Sequence, residues 1–452
     1  MHSRHRWTLI ATILGSSLAF VDATVVNVAI PAIARDLGAG AAGTQWTIAA
    51  YLLPLASFVL VGGALGDRFG RRRMFLIGVA AFGAASMACG ASQSILQLTV
   101  SRAIQGSAAA LFVPASLALL GTTFSGAARG KAIGMWSAFG SVASAIGPLI
   151  GGWLVDTWSW RYAFFVNLPV VLATMAITVW RVEKPPERHG ARIDIAGAAA
   201  AVISLGALTA ALTLTEGRRV AAIALIAVAV AAGGAFIAIE RRVKAPMMPL
   251  DVWRSQMFSS VNALTFVVYA ALSLFMFILP IRLIVGGGAS ATMSAAALLP
   301  LIAEISLLSR WTGRWASTAG PRVPLTLGAV LLGAGFFVLA FSAGEDYWRA
   351  FFPGIAVMGL GLALTVAPLT TAIMSALGDE RAGLASGINN AVARTAGLTG
   401  VSAVALIAGA QTPRELSAAF PRVMMTAGLL ALCGAAIAAL FARGRPTRST
   451  LG

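Results

Sequence analysis

The sequence predicts an all-α membrane protein with fourteen transmembrane helices, and three observations carry that prediction. First, 58% of the 452 residues are hydrophobic and 11% are charged, with a mean hydropathy of +0.86, a composition outside the range of soluble globular proteins. Second, apolar stretches of about twenty residues or more recur along the whole length, which is what a helix needs to cross roughly 30 Å of hydrocarbon at about 1.5 Å per residue. Third, the charge is sided. With a cytoplasmic N-terminus the inner segments hold 23 Lys/Arg and the outer loops 8, and Arg102 and Arg394 fall inside spans, which accounts for all 33. The excess of inner positive charge fixes the orientation, with both termini cytoplasmic.

In chain order the spans read 8–30, 45–66, 74–93, 97–121, 131–155, 162–181, 194–215, 219–240, 256–281, 291–312, 323–343, 347–374, 383–408 and 420–442. The first follows a short basic segment, Met1–Arg6, but is too long for the apolar core of a signal peptide and carries Asp22 and Pro31, so it reads as an uncleaved helix. The second ends in "GALGDRFGRRR" (63–73), where Gly63, Gly66 and Gly70 allow tight turns and Asp67 can accept from a helix N-terminus or a nearby arginine. The fourth carries Arg102 about six residues inside, with Gln105 and Gly106 at i+3 and i+4 on the same face. A charge at membrane depth faces a cavity or a partner, or snorkels to the headgroups.

Along the fifth span, Gly140, Gly147 and Gly151 fall on one stripe with Ala143 and Ser144, and Gly152 adjoins it. Small residues let two helices approach closely, and Pro148 leaves the Ser144 carbonyl without its helical donor, which permits a bend. The hairpin 194–240 is apolar until "EGRR" (216–219) at its turn and reads as lipid-facing. In the second half Glu304, in "LLPLIAEISLL", and Arg394, in "NNAVARTAG", lie deep in spans and are functional-site candidates by depth alone.

A net charge of +17 raises nucleic acid as a partner, but the basic clusters at 68–73, 181–192, 240–244 and 443–448 all lie on the inner side, where they serve topology and contact with anionic lipids. Cys89 and Cys433 both lie inside spans and read as packing residues, so neither a disulfide framework nor a metal cluster is implied. No phosphate loop, H-E-x-x-H or G-x-S-x-G motif occurs, and the three histidines lie in inner segments. An enzyme is disfavoured. An ion gradient is then the available energy source, and a membrane carboxyl, whose neutral form burial favours, is a natural proton carrier. Asp22 lies about 22 Å along the first helix, near or somewhat past the midplane.

An internal repeat aligns "GALGDRFGRRRMF" (63–75) on "GRWASTAGPRVPL" (313–325), matching Gly63/Gly313, Gly70/Gly320 and Arg72/Arg322, with Ser317 where Asp67 stands. With the helix count it suggests two six-helix bundles, 1–181 and 256–452 including a short basic tail, and an inserted hairpin with inner linkers at 182–255. "GALGDRFGRRR" resembles the loop between helices two and three of the major facilitator superfamily. "RAIQGSAAA" (102–110) resembles its fourth-helix pattern, and "ASAIGPLIGG" (143–152) its antiporter pattern on helix five, with Ala143 where a glycine is usual. "VDATVVNVAIP", "WSWRYAFFVNLP" (158–169) and "SGINNAVARTAGLTG" (386–400) resemble the fourteen-helix drug/proton antiporter subfamily.

The resemblance implies a secondary transporter of the inner membrane that exports lipophilic small molecules, cationic ones among them, in exchange for protons by alternating access. A dedicated carrier of one metabolite or lipid is the alternative. It implies a conformational latch made of Gly63, Asp67, Arg68, Gly70 and Arg71, and an antiporter helix marked by Gly147, Pro148, Gly151 and Gly152. Asp22, Arg102, Gln105, Glu304, Asn390 and Arg394 are the candidates for proton coupling and substrate binding, Arg394 with Asn389 and Asn390 by the subfamily pattern and Glu304 by depth alone. Protons, a small-molecule substrate and membrane lipids are the expected partners; no cofactor or metal is expected, and an adaptor protein is left open.

Overall fold

The computed structural model describes residues 3–183, 194–213, 219–243, 246, 248–342, 344, 346–378, 381–410 and 412–441. The basic stretches 184–192 and 443–448 and the hairpin turn 216–218 lie outside them. All regular structure among the described residues is helical. Among the described residues, thirteen helices are long and apolar enough to cross a membrane, and a bent pair, Ala41–Val59 and Val61–Phe69 at 54°, makes a fourteenth if its arms form one span. Each predicted span therefore has its helix.

In the first half these are α1 (Ser3–Asp36), α2 (Ala41–Phe69), α3 (Arg71–Gly90), α4 (Ile95–Thr123), α5 (Gly126–Thr157) and α6 (Asn167–Arg181), followed by the hairpin α7 (Ile195–Thr213) and α8 (Arg219–Glu240). The second half holds α9 (Gln256–Ile281), α10 (Leu299–Ala319), α11 (Arg322–Phe341), α12 (Phe352–Ser375), α13 (Ala382–Ala408) and α14 (Phe420–Phe441). Several helices outrun the hydrocarbon: α1 has 34 residues, about 51 Å of helix. Apolar runs mark only the part in lipid, which is why the spans read from them are shorter. The span expected at 291–312 is divided into a short helix, Ala291–Ala296, and α10, whose second residue is Pro300. Proline at the first turn suits a helix start, because its missing N–H would have no intrahelical acceptor there.

The chain forms two compact units, one of Met1–Met247 with Ala289–Ala295, the other of Met248–Gly288 with Ala296–Gly452. In the first, α2 and α3 pack on α4, α5 on α1, and the hairpin joins through α7 on α2. The α2 and α4 backbones touch: a methyl group added at Gly62 or Gly106 would overlap the carbonyl of Ala110 or Tyr51. The small-residue stripe of α5 meets α1, with Gly140 against Phe20 and Gly151 against Val25. Phe75, Phe82, Phe112 and Trp136 fill the space between these helices. At the end of α5, Asp156 accepts the N–H groups of Ala291 and Thr292 at 3.0 and 2.8 Å and the Thr292 hydroxyl at 2.6 Å, while Gly152 lies against the same backbone. These contacts seat residues 289–295 in the first unit.

The hairpin exposes its outer helix, α8, along nearly its whole length, which fits the lipid-facing reading. Its α7 is capped by Asp194, which accepts the Gly197 N–H at 2.8 Å. Of the two cysteines, Cys89 is buried as a packing residue should be, whereas Cys433 is exposed on α14, so that expectation is corrected for Cys433; its position in a span set its depth but not its face.

In the second unit α9 packs on α13 and α14, α11 on α12 and α14, and α10 on α12. Phe275 and Phe336 meet across its core at 6.0 Å. Outside the spans, Arg381 donates to Asp251 at 2.7 Å and holds that carboxyl below the usual carboxylate range.

Candidate functional site

Asp22 on α1 is fully buried, and its carboxylate draws its partners from α4 and α6. Every hydrogen bond to its carboxylate comes from a nitrogen donor. Arg102 of α4 donates to Oδ2 through a very short contact, and Oδ1 receives Gln105 Nε2 of α4 at 2.9 Å and Asn167 Nδ2, the first residue of α6, at 3.2 Å. Arg102 is 1% exposed, so it pairs inside the unit rather than snorkelling. Its Nε donates to the Thr47 carbonyl of α2 at 3.1 Å, its Nη1 donates to Gln105 Oε1 at 2.8 Å, and its guanidinium lies 4.2 Å from the centre of the Tyr51 ring. Such a face contact adds to the stability of a desolvated cation.

The outer partners fix the orientation of each amide. Gln105 Nε2 and Asn167 Nδ2 also donate to Ser86 Oγ of α3, at 3.2 and 3.0 Å, and Ser86 spends its own proton on the Phe164 carbonyl at 2.9 Å. Gln105 Oε1 accepts from Cys89 Sγ at 3.5 Å as well as from Arg102. Ser86, Gln105 and Asn167 are all buried. The network is thus built for one charge state. A carboxylate satisfies all three donors, whereas a proton on Asp22 would meet N–H groups on both oxygens.

A second polar chain lies one to two turns earlier on α1. Trp136 Nε1 of α5 donates to Ser16 Oγ at 2.8 Å, Ser16 and Ser116 Oγ of α4 are 2.8 Å apart, and Ser116 donates to the Val113 carbonyl at 2.7 Å. With the Ser116 proton committed, Ser16 donates to Ser116. This chain ties α5 to α1 and α4.

Of the sequence candidates, Asp22, Arg102 and Gln105 come together. At the junction of α2 and α3, Asp67 and Arg71 form a pair at 2.7 Å, and Arg71 also donates to the Ala118 carbonyl of α4 at 3.1 Å, while Arg68 lies over the Phe69 ring. Arg72, marked in the sequence by the internal repeat but not as a site residue, holds the end of α6 through the Thr178 and Val179 carbonyls.

In the second unit Asn389, not Asn390, makes the side-chain bonds, to Asn262 at 3.1 Å and Thr265 at 2.7 Å, and the Arg394 charge acts on Tyr269 of α9. Glu304 lies on α10 against α12 and forms no ion pair with Arg394. Sequence reading missed Ser86, Thr47, Tyr51 and Asn167. Asn167 alone gave a signal, as a polar residue in an apolar run inside a quoted motif.

Residues 12–401 match the sequence profile of the family described as Major Facilitator Superfamily. The Multidrug resistance protein Stp of Mycobacterium tuberculosis is 36% identical over 395 residues, covering 85% of this chain and 72% of that protein. The Methylenomycin A resistance protein of Bacillus subtilis is 33% identical, covering 93% and 91%. The Tetracenomycin C resistance and export protein of Streptomyces glaucescens is 33% identical, covering 88% and 75%. Among solved structures, the inward open xylose transporter XylE from E. coli shares the fold at a TM-score of 0.66 and 13% identity, with 97% of each chain covered.

Proposed function

We propose, from the premise that the chain belongs to the Major Facilitator Superfamily, that it exports lipophilic small molecules across the inner membrane in exchange for protons by alternating access. The relatives' names, multidrug resistance and drug resistance and export, support efflux as the direction. The proposed assignment of the chain keeps a bundle at 1–181, an inserted hairpin with linkers at 182–255 and a bundle at 256–452, with both termini cytoplasmic and the inner basic clusters against anionic lipid.

One observation carries the proton coupling: the buried Asp22 carboxylate is met by three donors, one of them a cation. Protonating it releases Arg102, which keeps the Thr47 carbonyl, Gln105 Oε1 and the Tyr51 ring, and leaves Gln105 and Asn167 facing a neutral acid. The donors come from α4 and α6 and the acid from α1, so binding a proton loosens contacts between helices. Losing the proton restores them. That link between charge state and helix packing is what an exchanger needs, because a ligand shifts a conformational equilibrium only by its differential affinity for the two states. Asp67 and Arg71 act as the latch in this reading, and the glycine stripe of α5 as the sliding face.

A dedicated exporter of one compound is the second reading, favoured by relatives named for single antibiotics. Sealed vesicles loaded with tetracenomycin C, methylenomycin A or ethidium and given a pH difference test both readings. Multidrug export predicts proton-driven flux of chemically unrelated compounds, and a dedicated carrier moves one of them. Flux that ignores the pH difference for every compound would overturn proton exchange.

A further inference from the structure

We infer that Glu304 is a second proton-binding site, loaded in the conformation in which Asp22 is ionised; its part in transport rests on the export reading above. Glu304 lies midway along the span Ala291–Ala316, and its Oε2 is buried without a hydrogen-bond partner. The carboxyl is seated against α12 at Gly359, where an added methyl group would overlap Oε2, and the Leu360 N–H of the same helix interacts with it. Gly359 thus makes the space that the carboxyl fills.

Among the described residues of its own unit, no neighbour neutralises a charge there. Its own helix offers Arg310 and Arg314, about 9 and 15 Å further along the axis, and neither is within ion-pair distance. α12 carries no ionisable residue, and α11 carries only Arg322, at its first position. Beyond the other end of α10, the Tyr347 hydroxyl donates to the Ala297 carbonyl, with Asp346 and Arg349 beside it in the chain.

The contrast with Asp22 is chemical. Asp22 has a paired guanidinium and two amide donors, all of which favour the carboxylate. Glu304 has one oxygen buried without a partner against Gly359 and at most one backbone donor for the other, in a span where an uncompensated charge is expensive. A neutral acid fits that cradle. The step is a simple proton equilibrium: release to water on one side of the membrane leaves the carboxylate, and uptake from the other side restores the acid.

The test is infrared spectroscopy of the purified full chain in lipid, which needs no substrate. The wild type at neutral pH should show the carbonyl stretch of a neutral carboxylic acid. That band should survive Asp22→Asn and be lost in Glu304→Gln. In Gly359→Ala it should shift, because the added methyl group displaces the carboxyl; this variant keeps the assignment testable if Glu304→Gln does not fold. A band unchanged by both Glu304→Gln and Gly359→Ala, or a wild type with no neutral carboxyl, would overturn the inference. Loss of the band together with efflux that ignores the proton gradient would leave the proton site standing and remove the export reading instead.

Discussion

Replacing Asp22 by asparagine keeps the side chain's size and removes its charge, and the geometry sets the cost. The carboxylate accepts from Arg102, Gln105 and Asn167, whereas an asparagine offers one oxygen and brings an NH2 group of its own. At least one donor then faces another donor in a buried site. Removing one member of a buried ion pair costs about 3–5 kcal/mol, and Arg102 keeps the Thr47 carbonyl, Gln105 Oε1 and the Tyr51 ring, which puts the loss near the lower end. About 3 kcal/mol is roughly a 150-fold shift toward states in which the pair is apart. Proton-driven efflux in vesicles should be abolished for every compound. The double variant Asp22→Asn/Arg102→Gln removes both charges and should recover most of the stability in a denaturation series, yet still fail to couple. Proton-driven efflux at the wild-type rate in Asp22→Asn would refute the assignment, and a double variant less stable than either single one would show that the pair is not the structural unit.

Arg102→Lys keeps the charge but not the planar fork that reaches Asp22, Gln105 and Thr47 together, so coupling should fall without loss of folded protein, read from flux against pH. Asn167→Ala removes the donor that Asp22 and Ser86 share and should cost about 1–2 kcal/mol of stability, read by unfolding; an unchanged stability would limit Asn167 to packing. Asp67→Asn disrupts a pair that is half in solvent, 44% exposed on the Asp67 side, so stability should change by less than about 1 kcal/mol while transport falls severely. Wild-type transport in that variant would remove the latch. Gly106→Ala forces a methyl group onto the Tyr51 carbonyl and should cost about 1–3 kcal/mol, read by unfolding, because neither backbone can give way.

How much of this was legible differs from residue to residue. The helices were legible because a span must be both long and apolar, which few other constraints imitate. The bent α2 and the divided span before α10 were not: Pro31, Pro114 and Pro148 sit inside α1, α4 and α5 without dividing them, so proline alone does not say which helix ends. Asp22, Arg102 and Gln105 stood out because an ionisable or amide group in an apolar run demands a partner. Ser86 did not, since serine in a helix commonly bonds to its own backbone. Thr47 supplies a carbonyl to Arg102, and no side-chain pattern announces a backbone acceptor. The sequence could nominate both ends of the Asp22–Arg102 bond, but only the packing of α1 against α4 brings them into contact.

The three donors also decide where a cationic substrate can be held. A lipophilic cation cannot compete for Asp22 without displacing Arg102, and it would then face the displaced guanidinium. Glu304 has no such guard. A monovalent cation that pairs with it must expel its proton, so at that carboxyl substrate binding and proton release are one event, while a neutral compound leaves the proton in place. On the proposal that Glu304 is a second proton site, cationic efflux uses the protons of both acids and neutral efflux that of Asp22 alone. Two protons in for one cation out moves net charge, so a potential of 100 mV, worth roughly 2.3 kcal/mol per charge, should raise the attainable gradient of a cation such as ethidium about 50-fold. In Glu304→Gln that dependence should vanish, and cationic efflux should weaken while neutral efflux is spared. Paired vesicle assays of one neutral and one cationic compound at fixed pH difference, with the potential stepped, read both effects. Equal losses for the two compounds would make Glu304 a general coupling or structural residue, and potential-independent cation efflux in the wild type would rule out the second proton.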